Sequence, residues 1–339
     1  MTQRADLVLE DGGVKGLGLV GAVAAFAEAG YTFPRVAGTS AGAITGAVVA
    51  AMQKAGEPLT RLPEIARTLD YRRLRDRSPL ARLVGPLRPV ADGLSLAFES
   101  GIFEGEYLRS WLAGVLKDLD VVTFGDLRLP EDPGTSLAAE HRYRLVVTAS
   151  DLSRRRLVRL PWDYPDYGLD ADSRVVADAV RASAAIPFFY EPTTLRSPDG
   201  SVSTLVDGGL LSNFPIGLFD RTDDRPPRWP TFGVRLSARP GKTPHTQAVR
   251  GPVSLALAVV ETTIEACDAR HIDDPCVQAR TVFVDTSSVS AVDFGIDAAQ
   301  QQALLETGYE AARRFLVSWD WPTYLRRCRP ENEPRKREE

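Results

Sequence analysis

Ser40 sits between two glycines in Gly38-Thr39-Ser40-Ala41-Gly42, a G-x-S-x-G pattern. A nucleophilic serine on a sharp strand-to-helix turn has strained backbone angles. Side chains beside it would strike neighbouring backbone, so glycines belong at the flanks. The helix that follows points its positive end at the serine and at any oxyanion formed there. An ordinary small-residue turn capped by serine has the same local pattern, so the surrounding residues must decide. Upstream, Glu10-Asp11-Gly12-Gly13-Val14-Lys15-Gly16 makes a glycine-rich loop whose backbone N–H groups could face an anion. A phosphate loop needs Gly-Lys followed by Ser or Thr, whereas here Lys15 precedes Gly16. A dinucleotide fingerprint needs G-x-G-x-x-G, and the spacing from Gly13 is G-x-x-G-x-G. An oxyanion hole serving Ser40 is the reading that fits, with a merely tight turn as its alternative.

A nucleophilic serine needs a base. Histidine is the usual one, because its pKa lies near neutrality. The chain has three, His141, His245 and His271, and none falls at a strand end. Asp207, in Leu205-Val206-Asp207-Gly208-Gly209, closes an apolar strand-like run and is the best carboxylate candidate. Burial against apolar walls raises an aspartate's pKa and so makes it a stronger base. The same residues also spell a common turn. No HExxH, CxxC or carboxylate cluster points to a metal, and no cofactor is expected.

These residues need elements to carry them. Leu7-Val8-Leu9 reads as a short strand, and Leu19, Val20, Val23 and Phe26 recur at helical spacing until Gly30. A strand over Phe33–Ala37 leads into the serine turn, and a helix follows from Gly42 to Ala55, stopped by Gly56. Such strand–helix alternation means a parallel sheet covered by helices, with sites at strand C-terminal ends. Further strands are expected at Tyr143–Thr148, Arg155–Leu160, 205–207, Thr231–Leu236 and Thr281–Val284. Helices are expected at Phe103–Leu119, from about Asp172 to Ser183, at Val253–Ala269 and at Ala298–Leu316.

Residues 57–105 interrupt the alternation, and 61–88 holds eight arginines against three acids. This Arg-rich insertion reads either as a solvated surface segment or as a lid touching anionic lipid headgroups. The net charge of −4 argues against a nucleic-acid partner. The three cysteines, Cys267, Cys276 and Cys328, are odd in number and unevenly spread, which reads as incidental thiols in a reducing, cytoplasmic-type compartment. No signal peptide is expected from the opening residues, and no apolar run reaches the length of about 20 residues that a membrane span needs. One domain over 1–328 is expected, with 329–339 a disordered charged tail.

Four stretches in order resemble the patatin-like phospholipases, lipid acyl hydrolases with a Ser–Asp dyad and no active-site calcium. They are Asp11–Gly16, Gly38–Gly42, Ala182-Ser183-Ala184-Ala185-Ile186-Pro187 with Glu191-Pro192, and Asp207-Gly208-Gly209 with Asn213 and Pro215. The resemblance spans residues 6–320 and implies a three-layer α/β/α sandwich with a mainly parallel central sheet. It implies Ser40 as nucleophile, Asp207 as base, and Gly12, Gly13 and Val14 as oxyanion amides. The substrate it implies is a phospholipid or lysophospholipid. The family's first loop glycine is Asp11 here, a carboxylate expected to point away from the site. A catalytically weak lipid-binding module on the same fold is the alternative function.

Overall fold

The computed structural model describes residues 3–74, 103–132, 134–221, 223, 225–237, 273–291 and 293–329, with isolated positions between 249 and 263. The chain begins with β1 (Gln3–Arg4), β2 (Asp6–Leu9), α1 (Leu17–Glu28), β3 (Tyr31–Thr32), β4 (Val36–Thr39) and α2 (Ala41–Ala55). After helix Glu106–Asp118 come β5 (Leu145–Asp151), β6 (Arg156–Leu160), helix Val176–Ser183, β7 (Thr193–Arg196) and β8 (Val202–Asp207). Then follow β9 (Thr231–Arg235), helix Pro275–Ala279, β10 (Thr281–Phe283), and helices Ala298–Ser318 and Trp321–Cys328.

The main sheet has the order β10-β9-β2-β4-β5-β8-β7, with β6 also on β5. From β10 to β5 every pairing is parallel; β6, β8 and β7 join antiparallel. A sheet covered by helices buries both faces of its central strands, and β2, β4 and β5 are buried at every position. The mostly parallel α/β architecture expected from the alternation is therefore present, with helices around the sheet.

Register decides where the chemistry can sit. Leu9 lies beside Gly38 across β2 and β4, so the glycine loop and the Ser40 turn leave the sheet side by side. Thr39 lies beside Thr148, and Ala149 lies beside Asp207. Neighbouring positions of β5 therefore bring the ends of β4 and β8 together, although β8 runs the opposite way.

Three local outcomes differ from the sequence reading. The strand expected over Phe33–Ala37 is split: β4 starts only at Val36. Pro34 has no N–H for a ladder, and the Phe33 backbone is satisfied instead by the Gln53 side chain, at 2.6 and 2.7 Å. The helix expected from Phe103 starts at Glu106, because Phe103 bridges to Tyr190 and Gly105 takes a left-handed φ of 71°. Cys276 and Cys328, read as incidental thiols, form a disulfide with Cα atoms 5.5 Å apart, tying helix Pro275–Ala279 to the last helix. Of the Arg-rich segment only 61–74 is described; of the helix expected over Val253–Ala269 only Leu255, Ala258, Val259, Thr262 and Thr263 are described, all helical; Cys267, His245, His271 and the tail beyond Arg329 lie outside the described residues. Among the described residues no helix is long and apolar enough to cross a membrane.

Candidate active site

The Ser40 turn is built by close approach. Ser40 has φ 50° and ψ −114°, a conformation rare for a residue with a side chain. A Cβ on Gly38 would lie 2.2 Å from the Gly42 carbonyl, and one on Gly42 would lie 2.2 Å from the Leu9 carbonyl. Both flanking glycines are therefore required by space. The Ser40 N–H donates to Ser183 Oγ at 2.8 Å, with both residues buried. Ser183 belongs to the small-residue block noted in the sequence, but its link to the serine turn crosses the fold and has no local signature.

Asp207 is 1% exposed at the end of β8. Its Oδ1 accepts from the Gly209 N–H at 2.8 Å, while Oδ2 is buried without a hydrogen-bond partner among the described residues. Thr39 and Thr148 hydroxyls bond each other at 2.6 Å beneath the turn. A buried glutamate, Glu10, braces the far side. It accepts from Asn213 Nδ2 at 3.1 Å and from the Leu236 N–H, and it pairs with Arg235 at 3.0 Å.

The glycine loop departs from expectation in two ways. The Val14 N–H is already donated to the Ala291 carbonyl at 3.0 Å, so it is not an open amide. Asp11 turns inward, not away. A Cβ placed on Gly209 would lie 2.8 Å from Asp11 Oδ2, 3.2 Å from Asp207 Oδ1 and 3.5 Å from Asn213 Oδ1. The two carboxyls thus converge on one spot. Asp11 is also absent from the positive-φ residues, so its backbone accommodates a side chain there without left-handed strain.

Burial pushes the Asp207 carboxyl well above the ordinary carboxylate range, and the neighbouring Asp11 charge pushes it further. The Ser40 hydroxyl and the Gly209 amide oppose this. Burial also raises Asp11, opposed by Ser40, by the amides of Gly12 and Gly13, and by Lys15. Ser40 thus lies close enough to stabilise the ionised form of either carboxyl.

Ser40 opens on a cleft whose walls include Ile44, Val48, Leu62, Leu69, Trp111 and Phe294. Its lining is apolar, apart from the serine and a few hydroxyls such as Thr45 and Tyr71. His141 is elsewhere, stacked on Trp162 with ring centroids 4.8 Å apart, ahead of the N-terminal end of β5. Among the described residues no group of three or more His, Cys, Asp or Glu is placed to hold a metal ion.

The chain is 35% identical over 320 residues to the uncharacterized protein YqhO of Bacillus subtilis (strain 168), covering 93% of this chain and 99% of that one. Among solved structures, VipD from Legionella pneumophila aligns with a TM-score of 0.48 and 18% identity, over 93% of this chain and 67% of that one. ExoU of Pseudomonas aeruginosa, in its complex with SpcU, aligns with a TM-score of 0.42 and 17% identity, over 93% of this chain and 52% of that one. The chain thus spans about half the length of that ExoU chain. A family model described as patatin-like phospholipase matches residues 7–220, a span that holds the glycine loop, Ser40 and Asp207. The chain belongs to the patatin-like phospholipase family, a family of lipid hydrolases.

Proposed function

We propose that the protein hydrolyses carboxylic ester bonds of phospholipids or lysophospholipids, with Ser40 as nucleophile and Asp207 as its base. The observation that carries this reading is the placement of Ser40: on a strained turn, beside a buried carboxyl, at the wall of an apolar cleft. The cleft suits an acyl chain, because burying aliphatic surface is favourable at about 25 cal/mol per Å². Among the described residues its walls carry no charged side chain.

In the proposed reaction the acyl chain lies in the cleft and its ester carbonyl reaches Ser40. Asp207 takes the Ser40 proton as Oγ attacks the carbonyl carbon. The tetrahedral oxyanion is met by loop amides, for which Gly12 and Gly13 are the candidates now that Val14 is engaged by Ala291. Collapse expels the alcohol with the proton returned by Asp207 and leaves an acyl-enzyme. Water activated by Asp207 then releases the fatty acid. Each good oxyanion donor is worth about 3–4 kcal/mol of barrier lowering.

The Arg-rich segment 61–88 is proposed to meet anionic headgroups when substrate is presented on a membrane. In its described part Arg61 is held by Glu57 at 2.7 Å and Arg73 stacks over the Tyr107 ring at 4.2 Å. Cosedimentation with vesicles containing anionic lipid, lost in salt, tests that contact.

A fluorophosphonate probe tests the central assignment. Labelling of the wild type on Ser40, with none in Ser40→Ala, is the expected result. A folded wild type that takes no label would favour a lipid-binding module without hydrolysis.

A further inference from the structure

Three buried side-chain oxygens of this site lack a donor among the described residues. Asp11 Oδ1, Asp207 Oδ2 and Asn213 Oδ1 are each buried, with no hydrogen-bond partner among the described residues. Asp11 Oδ2, Asp207 Oδ1 and Asn213 Oδ1 all lie within 3.5 Å of the point a Gly209 Cβ would occupy. Two buried carboxylates this close repel each other, and an amide oxygen facing them adds a third negative pole. A proton on one carboxyl converts an acceptor into a donor and relieves the conflict.

We propose that Asp11 and Asp207 hold one proton between them, and that Asp11 carries it whenever Asp207 acts as base. The proposal rests on the hydrolase reading of Ser40 and Asp207. Asp11 stands where the loop motif that this chain resembles has glycine, so the carboxyl pair is not part of that motif. It makes Asp11 a positioning residue, acting through the protonation of Asp207 and through the loop amides. The amides of Gly12 and Gly13 lie close enough to Asp11 to stabilise its carboxylate. An ionised Asp11 therefore competes with a developing oxyanion for the same donors, and a neutral Asp11 leaves them open. The groups facing the pair are Ser40 from the α2 turn, Lys15 and the loop amides from the glycine loop, and Gly209 and Asn213 from the turn after β8.

The proton balance sets the pH dependence. With both carboxyls protonated, Asp207 cannot accept the Ser40 proton. With one proton shared between them, the form in which Asp11 holds it leaves Asp207 free as the base and Asp11 neutral. With none, Asp11 repels the oxyanion and occupies its amides. Reactivity therefore rises through the first ionisation of the pair and falls through the second.

Two measurements on the full chain test this. Infrared difference spectra of the wild type near neutral pH should show a carboxylic-acid C=O band that is lost in both Asp11→Asn and Asp207→Asn. This readout does not require activity, so it stands even if the hydrolase reading fails. Fluorophosphonate labelling of Ser40 across pH should follow a bell in the wild type. In Asp11→Asn and Asp11→Gly the alkaline limb should vanish, so that labelling there exceeds the wild type by about tenfold per pH unit past the second ionisation. Two variants are used so that a folding defect in one does not remove the test. No carboxylic-acid band at neutral pH, or labelling profiles in both variants that superimpose on the wild type, would overturn the proposal. Absence of label in every protein, with the infrared band present, would instead sink the hydrolase reading alone.

Discussion

Ser40 sits at φ 50° and ψ −114°, a conformation that costs a non-glycine residue about 1–3 kcal/mol and persists only where the surroundings enforce it. Part of that enforcement is the Ser183 hydroxyl, which accepts the Ser40 N–H at 2.8 Å in a fully buried setting. Ser183→Ala leaves that amide without an acceptor. We expect a stability loss of about 1–3 kcal/mol, together with a kcat reduction larger than any change in KM. Thermal unfolding and steady-state rates on a lysophospholipid check both, and a variant with unchanged kcat would remove Ser183 from the account. At this scale the strained turn at Ser40 and the need for glycine at 38 and 42 were legible, because they follow from sterics close to Ser40 in the chain. The direction of Asp11 and the capture of the Val14 amide were not. They depend on Gly209, Asn213 and Ala291, which reach the loop only through the folded sheet.

Elements place these residues by approaching closer than side chains allow. A Cβ on Gly42 would lie 2.2 Å from the Leu9 carbonyl, at the point where α2 leaves the sheet beside the glycine loop. Gly42→Ala must push the Ser40 turn away from β2. Overpacking of this kind costs about 1–3 kcal/mol, and fluorophosphonate labelling should fall further than stability does. The helix Ala298–Ser318 crosses α1 in the same manner: a Cβ on Gly308 would meet the Gly18 carbonyl at 1.9 Å. Gly308→Ala should lower the unfolding free energy by a similar ~1–3 kcal/mol, measured by denaturant titration, while a folded fraction keeps its labelling. The long elements were readable from periodicity and glycine stops. Short or irregular pieces such as β1, β3 and β7 were not, since two to four residues carry no period. The Cys276–Cys328 bond is equally non-local, joining positions 52 apart in the chain.

Across the whole molecule, the buried carboxyls of Asp6, Asp11 and Asp207 all lie above the ordinary carboxylate range, with burial as the largest cause in each case. The folded state then binds more protons than the unfolded chain in the window above the unfolded pKa of about 3.9. Their stabilising effect is fully present below that value and declines as pH rises towards the folded pKa. Asp207→Asn removes one such group. The variant should be more stable than the wild type at neutral pH, by about 1.4 kcal/mol for each pKa unit of elevation, and the difference should shrink as the pH is lowered. Parallel thermal melts of the two proteins at neutral and acid pH measure it; a wild type more stable than the variant at neutral pH would contradict the assigned direction. The site thus trades stability for a carboxylate that can work as a base.

The most direct test of the account is fatty-acid release from mixed phospholipid and lysophospholipid vesicles in the presence of EDTA. The wild type should release fatty acid, while Ser40→Ala and Asp207→Asn, both folded by circular dichroism, should lose on the order of a thousandfold or more. Release that persists in Ser40→Ala, or that requires a metal ion, would contradict a Ser–Asp hydrolase at this site.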